Sequence, residues 1–272
     1  MAMKNNIDII NSFIKPNVTF TCIKEHWTNW AKNEFARDDL KWVIGISGGI
    51  DSTCVAALAC KIFGKENVIG VSLPCDGQKD MEDVDMVFDH LKIKRITIDI
   101  GDAFAALKQG IENNCIELSY DCKTNMPARL RMTTLYGVAQ CVNGIVLNTC
   151  QLTEDVLGYA TLYGDNAGSY APIKGLTKTE VKMLATWLAV PEELVIKTPI
   201  DGLQPLSDEE KLGLKYDDVD KYIRHIGETN RDVEQLIMQK FVKNRFKLDI
   251  VKIPGPEFTF LTNTIRANFG SW

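Results

Sequence analysis

Apolar residues recur at helical spacing at Ile7, Ile10, Phe13 and Ile14, and again at Ile23, Trp27, Trp30 and Phe35. This spacing predicts two leading helices within residues 1–36. The pattern then changes. Lys41-Trp42-Val43-Ile44-Gly45-Ile46 is short, β-branched and apolar on both faces, as a central parallel strand requires. Helical spacing returns from Asp51 to Phe63, a second strand reads Val68 to Leu73, and Pro74 opens a polar loop. A helix over Met81–Leu91 and a strand over Arg95–Ile100 continue the alternation. Helices over Phe104–Ile116 and Pro127–Val142 follow, Pro127 fitting a first turn, and then a strand over Ile145–Thr149. Strand and helix alternating at such short intervals predict an α/β fold, a doubly wound parallel sheet with helices on both faces.

Beyond these strands, Gly158, Gly164, Gly168 and Gly175 stand among polar residues and predict a mobile loop. Val181, Leu184, Ala185 and Leu188 mark another helix, and the C-terminal quarter is charged and mainly helical. Without a repeat, a low-complexity tract or a long linker, the expectation is one domain over 1–272: leading helices 1–36, a core 41–190 and a mainly helical part 191–272.

Composition narrows the class. With 45% apolar and 25% charged residues the chain reads as an ordinary globular protein, large enough to bury a core without staples. The net charge of −5 argues against sequence-independent nucleic-acid binding, which needs a surplus of cations. The eight cysteines form no C-x-x-C pair and fit a reducing compartment. The start lacks the basic-then-apolar plan of a signal peptide, and no apolar run approaches a membrane span. The expectation is a cytoplasmic protein with no membrane partner.

Chemistry concentrates after the first strand. In open α/β sheets ligands sit beyond the carboxyl ends of the strands, where Ser47-Gly48-Gly49-Ile50-Asp51-Ser52 falls. The two glycines permit a sharp turn and close backbone approach, and the N–H groups of the following helix attract an anion. Asp51 would repel phosphate unless a divalent cation bridged them, which points to Mg²⁺. The string is neither a G-x-x-x-x-G-K-[ST] loop nor a G-x-G-x-x-G turn.

S-G-G-x-D-S after the first strand resembles the signature of the N-type ATP pyrophosphatases, with their adenine nucleotide alpha-hydrolase-like fold. Among these the chain most resembles ammonia-dependent NAD synthetase along nearly its whole length. The likeness is carried by Leu73–Asp80, by Asn125-Met126-Pro127-Ala128-Arg129-Leu130-Arg131-Met132, and by Thr149 with Glu154 and Leu157-Gly158-Tyr159. Tyr163-Gly164-Asp165, Pro172-Ile173, Leu176-Thr177-Lys178 and Ser207-Asp208-Glu209-Glu210-Lys211-Leu212-Gly213 extend it. The resemblance implies that deamido-NAD is adenylated by ATP at its nicotinate carboxylate and then amidated by ammonia, releasing pyrophosphate and AMP. It implies ATP contacts from Gly45, Ile46, Ser47, Gly48, Gly49, Ile50, Asp51, Ser52, Thr149 and Lys178. It implies Mg²⁺ ligation by Asp51 and Glu154, catalytic roles for Asp51, Glu154 and Lys178, and dinucleotide contacts from Arg129 and Asp165. A homodimer is also implied.

Plainer roles stand beside these. Glu154 also fits a helix first-turn acid, Arg129 and Arg131 a solvated face, and Lys178 a first-turn lysine, although the helix dipole disfavours a cation there. Cys150 reads as packing. Trp27, Trp30 and Phe35 suit either a dimer surface or the interior. His26, His90 and His225 lack metal-ligand spacing. The chain departs from the family pattern at Leu162, Ser169, Ile200 and Asn244, where cations or polar groups are usual, and at Ser72 and Asn148. These departures fall largely on the acceptor side. The alternatives are therefore another carboxylate acceptor or a nucleotide-binding homologue without turnover.

Overall fold

Alternation along the first strand sets the layering. In β1 (Lys41–Gly45) Trp42 and Ile44 join one buried cluster and Val43 another, because successive side chains leave opposite faces of a sheet. The computed structural model describes residues 13–35, 39–75, 81–197 and 207–256. Around β1 its elements run α1 (Pro16–Glu34), α2 (Ile50–Phe63), β2 (Val68–Ser72), α3 (Met81–Leu91), β3 (Lys94–Thr97), α4 (Gly101–Glu112), α5 (Tyr120–Cys141) and β4 (Gly144–Val146). Then come α6 (Leu152–Leu157), α7 (Lys178–Trp187), α8 (Glu192–Ile196), α9 (Asp208–Leu212), α10 (Tyr216–Arg224), α11 (Arg231–Asn244) and α12 (Phe246–Ile250).

The four strands pair in parallel in the order β3-β2-β1-β4. Helices α1, α2, α3 and α7 cover one face around Trp27, Trp42, Ile44, Leu58 and Leu184. Helix α5 covers the other, its Met132, Leu135 and Ala139 packed on Val43, Ile69 and Val71. Every residue of β2 is buried, as expected of a strand covered on both sides. A third cluster ties α6 to α9, α10 and α11 through Leu152, Val156, Leu212, Val219, Ile223 and Ile237. It places the C-terminal helices beside the carboxyl end of β4.

Some expectations need correction. Ile7 and Ile10 lie outside the described residues, and Phe13 and Ile14 are buried without being helical. Trp27 is fully buried and Trp30 and Phe35 pack against the same core, so these aromatics line the interior. Helix α5 starts at Ser119, whose hydroxyl caps it by accepting the Cys122 N–H. Pro127 therefore sits two turns inside, where it has no N–H to give the helix. The glycine-rich stretch after α6 is no free loop. Tyr170, Ala171, Ile173 and Leu176 are buried, and Asn148 N–H donates to the Tyr170 carbonyl at 2.8 Å, running that segment alongside β4.

Candidate active site

Between β1 and α2 the chain turns through Gly48, at φ +79°, a conformation that side chains with a Cβ rarely adopt. A Cβ at Gly48 would stand 2.7 Å from Cβ of Asp83. Gly48→Ala is expected to cost about 1–2 kcal/mol or more from the backbone alone, lowering Tm by several degrees. An unchanged melting curve would contradict this. Hydroxyls hold the turn internally: Ser52 Oγ donates to the Gly49 carbonyl at 3.0 Å, and Gly49 N–H donates to Ser47 Oγ at 3.2 Å. Gly49 caps α2 with no side-chain acceptor, so the helix presents its first N–H groups and its positive dipole end to the cleft.

Facing this turn is a charged cluster drawn from three elements. Lys178, only 3% exposed, sets Nζ 2.5 Å from Oδ2 of Asp51 and 3.9 Å from Oε1 of Glu154. Burial alone would lower the ammonium's pKa, but Asp51 and then Glu154 hold it up, at about 12. Glu154 goes the other way: burial, and then the Asp51 charge beside it, raise its pKa well above the usual carboxylate range. The first-turn acid reading of Glu154 holds. Its Oε2 closes a capping box with Gln151 N–H at 3.3 Å, while Oε1 faces the cleft.

The donor set suits a hard divalent cation. Oδ1 of Asp51 is buried with no hydrogen-bond partner, and the two carboxylates outnumber the one ammonium. Among the described residues no group of three or more His, Cys, Asp or Glu could enclose a metal. Mg²⁺ needs no such cage, since it keeps waters and takes phosphate oxygens beside one or two carboxylates.

These groups open onto a cleft of about 1160 Å³, lined also by Gly45, Ile46, Thr149, Arg129 and Asp165. That volume exceeds the span of most single-ligand pockets. Every expected site residue except Gly48 borders this space, and Gly48 shapes its turn. Arg129 and Arg131 both line it although they lie two positions apart. Arg129 Nε donates to the Leu162 carbonyl at 3.0 Å and Arg131 Nε to that of Leu73 at 3.1 Å. Asp165 shapes the wall as much as it faces the cleft, since its Oδ1 accepts the Thr161 N–H and its carbonyl the Asn148 amide, each at 2.8 Å. Cys150 is buried, burial raises its thiol pKa, and Sγ donates to the Asp165 carbonyl at 3.2 Å, so it packs.

Sequence reasoning passed over Lys197, which reaches the cleft from just past α8 and pairs with Asp83 behind the turn between β1 and α2. No spacing signal marked it. Lys211, Lys243 and Lys247 also line the cleft. Of the departures, Asn148, Leu162 and Asn244 stand in the cleft wall, while Ile200 lies outside the described residues. Asn244 packs over Gly158, where an added Cβ would come within 2.0 Å of it, and Lys247 Nζ donates to the Gly158 and Ala160 carbonyls at 2.7 and 2.8 Å. The C-terminal helices thus brace the segment after α6.

A family model described as NAD synthase matches residues 24–254. An NH(3)-dependent NAD(+) synthetase from Carboxydothermus hydrogenoformans is 34% identical over 234 residues, 85% of this chain and 96% of that protein. Among solved structures, an NMN synthetase from Francisella tularensis superimposes with a TM-score of 0.80 at 30% identity, covering 89% of this chain and 99% of the other. An NH3-dependent NAD synthetase from Campylobacter jejuni gives 0.69 at 25% identity with the same coverage.

Proposed function

The chain belongs to the NAD synthase family, and we propose that it is an ammonia-dependent synthetase converting deamido-NAD to NAD with ATP as co-substrate. The observation that carries this is the meeting of Lys178, Asp51 and Glu154 at the bare N-terminus of α2. In the first step a nicotinate carboxylate oxygen attacks the α-phosphorus, the bond to the β-phosphate oxygen breaks, and pyrophosphate leaves. Negative charge grows on the equatorial oxygens and the leaving group. The N–H groups of α2 and the ammonium of Lys178 face the phosphates and stabilise that charge without reorganising. Asp51 and Glu154 would hold Mg²⁺, which, when bound, neutralises phosphate charge. A carboxylate nucleophile needs no general base, which agrees with a site lacking histidine. In the second step ammonia attacks the acyl carbon and AMP departs.

The proton bound by Glu154 competes with a cation for the same oxygens. Because its pKa is raised, the protonated fraction grows as pH falls toward and through that value. The Mg²⁺ concentration giving half-maximal rate is therefore expected to rise as pH is lowered. A half-saturating Mg²⁺ concentration independent of pH would contradict the assignment.

The 0.80 superposition on the NMN synthetase favours a second reading, in which the same adenylation acts on nicotinate mononucleotide. Pyrophosphate release timed with each acceptor at matched ATP and ammonium decides between them. Faster release with deamido-NAD supports the first reading, and release with the mononucleotide alone replaces it. The partners are then small molecules, with neither nucleic acid nor membrane, in the cytoplasm. No described helix is long and apolar enough to cross a membrane. We further propose a homodimer formed through α4, α5 and the connection between them, where Leu107, Tyr136 and Ile116 are 48%, 38% and 58% exposed. Sedimentation should give twice the 30.5 kDa chain mass, and a single-chain mass would refute the dimer.

A further inference from the structure

Helix α7 begins with a lysine where its own dipole disfavours one. Asp51 and Glu154 explain the ammonium but not how the turn beneath it is fixed. Its first N–H groups end on buried side chains and not on water. Lys178 N–H donates to Thr153 Oγ1 at 3.0 Å, and Thr179 N–H donates to Asp220 Oδ2 at 2.7 Å. Thr153 Oγ1 in turn donates to Asp220 Oδ1 at 2.5 Å. Thr153 and Asp220 are fully buried, and Thr153 immediately precedes Glu154 on α6. One carboxylate on α10 therefore joins the helix carrying Glu154 to the helix carrying Lys178. It also sets a negative charge at the N-terminus of α7, offsetting the cation placed there.

We propose that Asp220 is a positioning residue of the ATP site, holding Glu154 and Lys178 in register with Asp51 through Thr153. No interaction of Asp220 itself reaches the cleft. Its two oxygens fix the atoms from which the side chains of Glu154 and Lys178 project. Asp220→Asn keeps the volume, but any orientation of the amide turns a donor toward Thr179 N–H or toward Thr153. Thr153→Val keeps the shape and removes both of its hydrogen bonds, whereas Thr153→Ser keeps both.

The inference rests on the cleft being an ATP site and not on the identity of the acceptor. The test is therefore Mg·ATP binding by calorimetry, with kcat measured beside it. Asp220→Asn and Thr153→Val are expected to weaken Mg·ATP binding about 10-fold, with a fall in kcat of about 10–100-fold, and Thr153→Ser to match the unaltered chain. Val219→Ala, buried on the same helix, provides the structural control: its Tm falls while its Mg·ATP affinity holds. Mg·ATP affinities of Thr153→Val and Asp220→Asn within two-fold of the unaltered chain would overturn the proposal alone. Should Asp220→Asn fail to fold, the Thr153 pair decides. Equal weakening in Val219→Ala would mean that loosening α10 suffices. An unaltered chain that does not bind Mg·ATP would overturn the ATP-site reading with it.

Discussion

Asp51→Ala is expected to lower the rate of AMP formation by about 10²–10³-fold, the scale of removing one preorganised electrostatic element from a transition state. Asp51 is the point where three features converge. It stands in the first turn of α2, beside the N–H groups that open toward the cleft. Its Oδ2 pairs with Lys178 at 2.5 Å, and its buried Oδ1 is unpartnered. Removing the carboxylate leaves the Lys178 ammonium with the Glu154 oxygen at 3.9 Å as its ion-pair partner among the described residues, and it takes away one of the two carboxylates proposed to hold a divalent cation. Asp51→Asn preserves the shape and should lose nearly as much, because charge and not volume is at stake. Initial rates of AMP formation at saturating ATP and acceptor check both. An Asp51→Asn rate within a few-fold of the unaltered chain would remove Asp51 from the catalytic set.

Arg224→Met is expected to give the largest loss of stability among single changes away from the cleft, about 3–5 kcal/mol. Arg224 holds Glu180 with two bonds, Nε to Oε1 at 2.8 Å and a terminal nitrogen to Oε2 at 2.7 Å, with the two side chains 2% and 0% exposed. The guanidinium also donates to the Gly175 carbonyl at 2.8 Å. Losing it strands a buried carboxylate whose remaining hydrogen-bond partner among the described residues is the Thr177 N–H at 2.8 Å. For a chain of this size each kcal/mol moves Tm by about 2–4 °C, so a drop of roughly 10 °C is expected in thermal unfolding. A drop of under 2 °C would mean that the pair contributes little.

The strand-to-helix alternation was legible because β1, β2 and their crossover helices are short, apolar and bounded by glycine or proline. The tight turn between β1 and α2 was legible because its glycines have a mechanical reading. Lys178 stood out as a cation in a helix first turn, and that oddity together with its resemblance to a family position pointed to a phosphate role. Other features depend on contacts that spacing cannot show. Tyr170 runs beside Leu147 from within a glycine-rich stretch, and glycine content masked a buried segment as a free loop. Pro127 suggested a helix start because proline fits first turns, while the Ser119 cap lay eight residues earlier. Lys197 reaches the cleft from beyond α8, and Asp220 meets Thr153 across 67 positions of sequence. Neither carries a local signal. Buried polar pairs of this kind become visible only when the helices pack.

The most direct test combines the purified chain with ATP, Mg²⁺, ammonium and deamido-NAD and follows NAD and AMP by chromatography. An Asp51→Ala preparation run in parallel exposes any contaminating enzyme. NAD and AMP appearing in equal amounts, and vanishing with Asp51→Ala, is the predicted result. No AMP above the Asp51→Ala level with deamido-NAD would contradict the central claim.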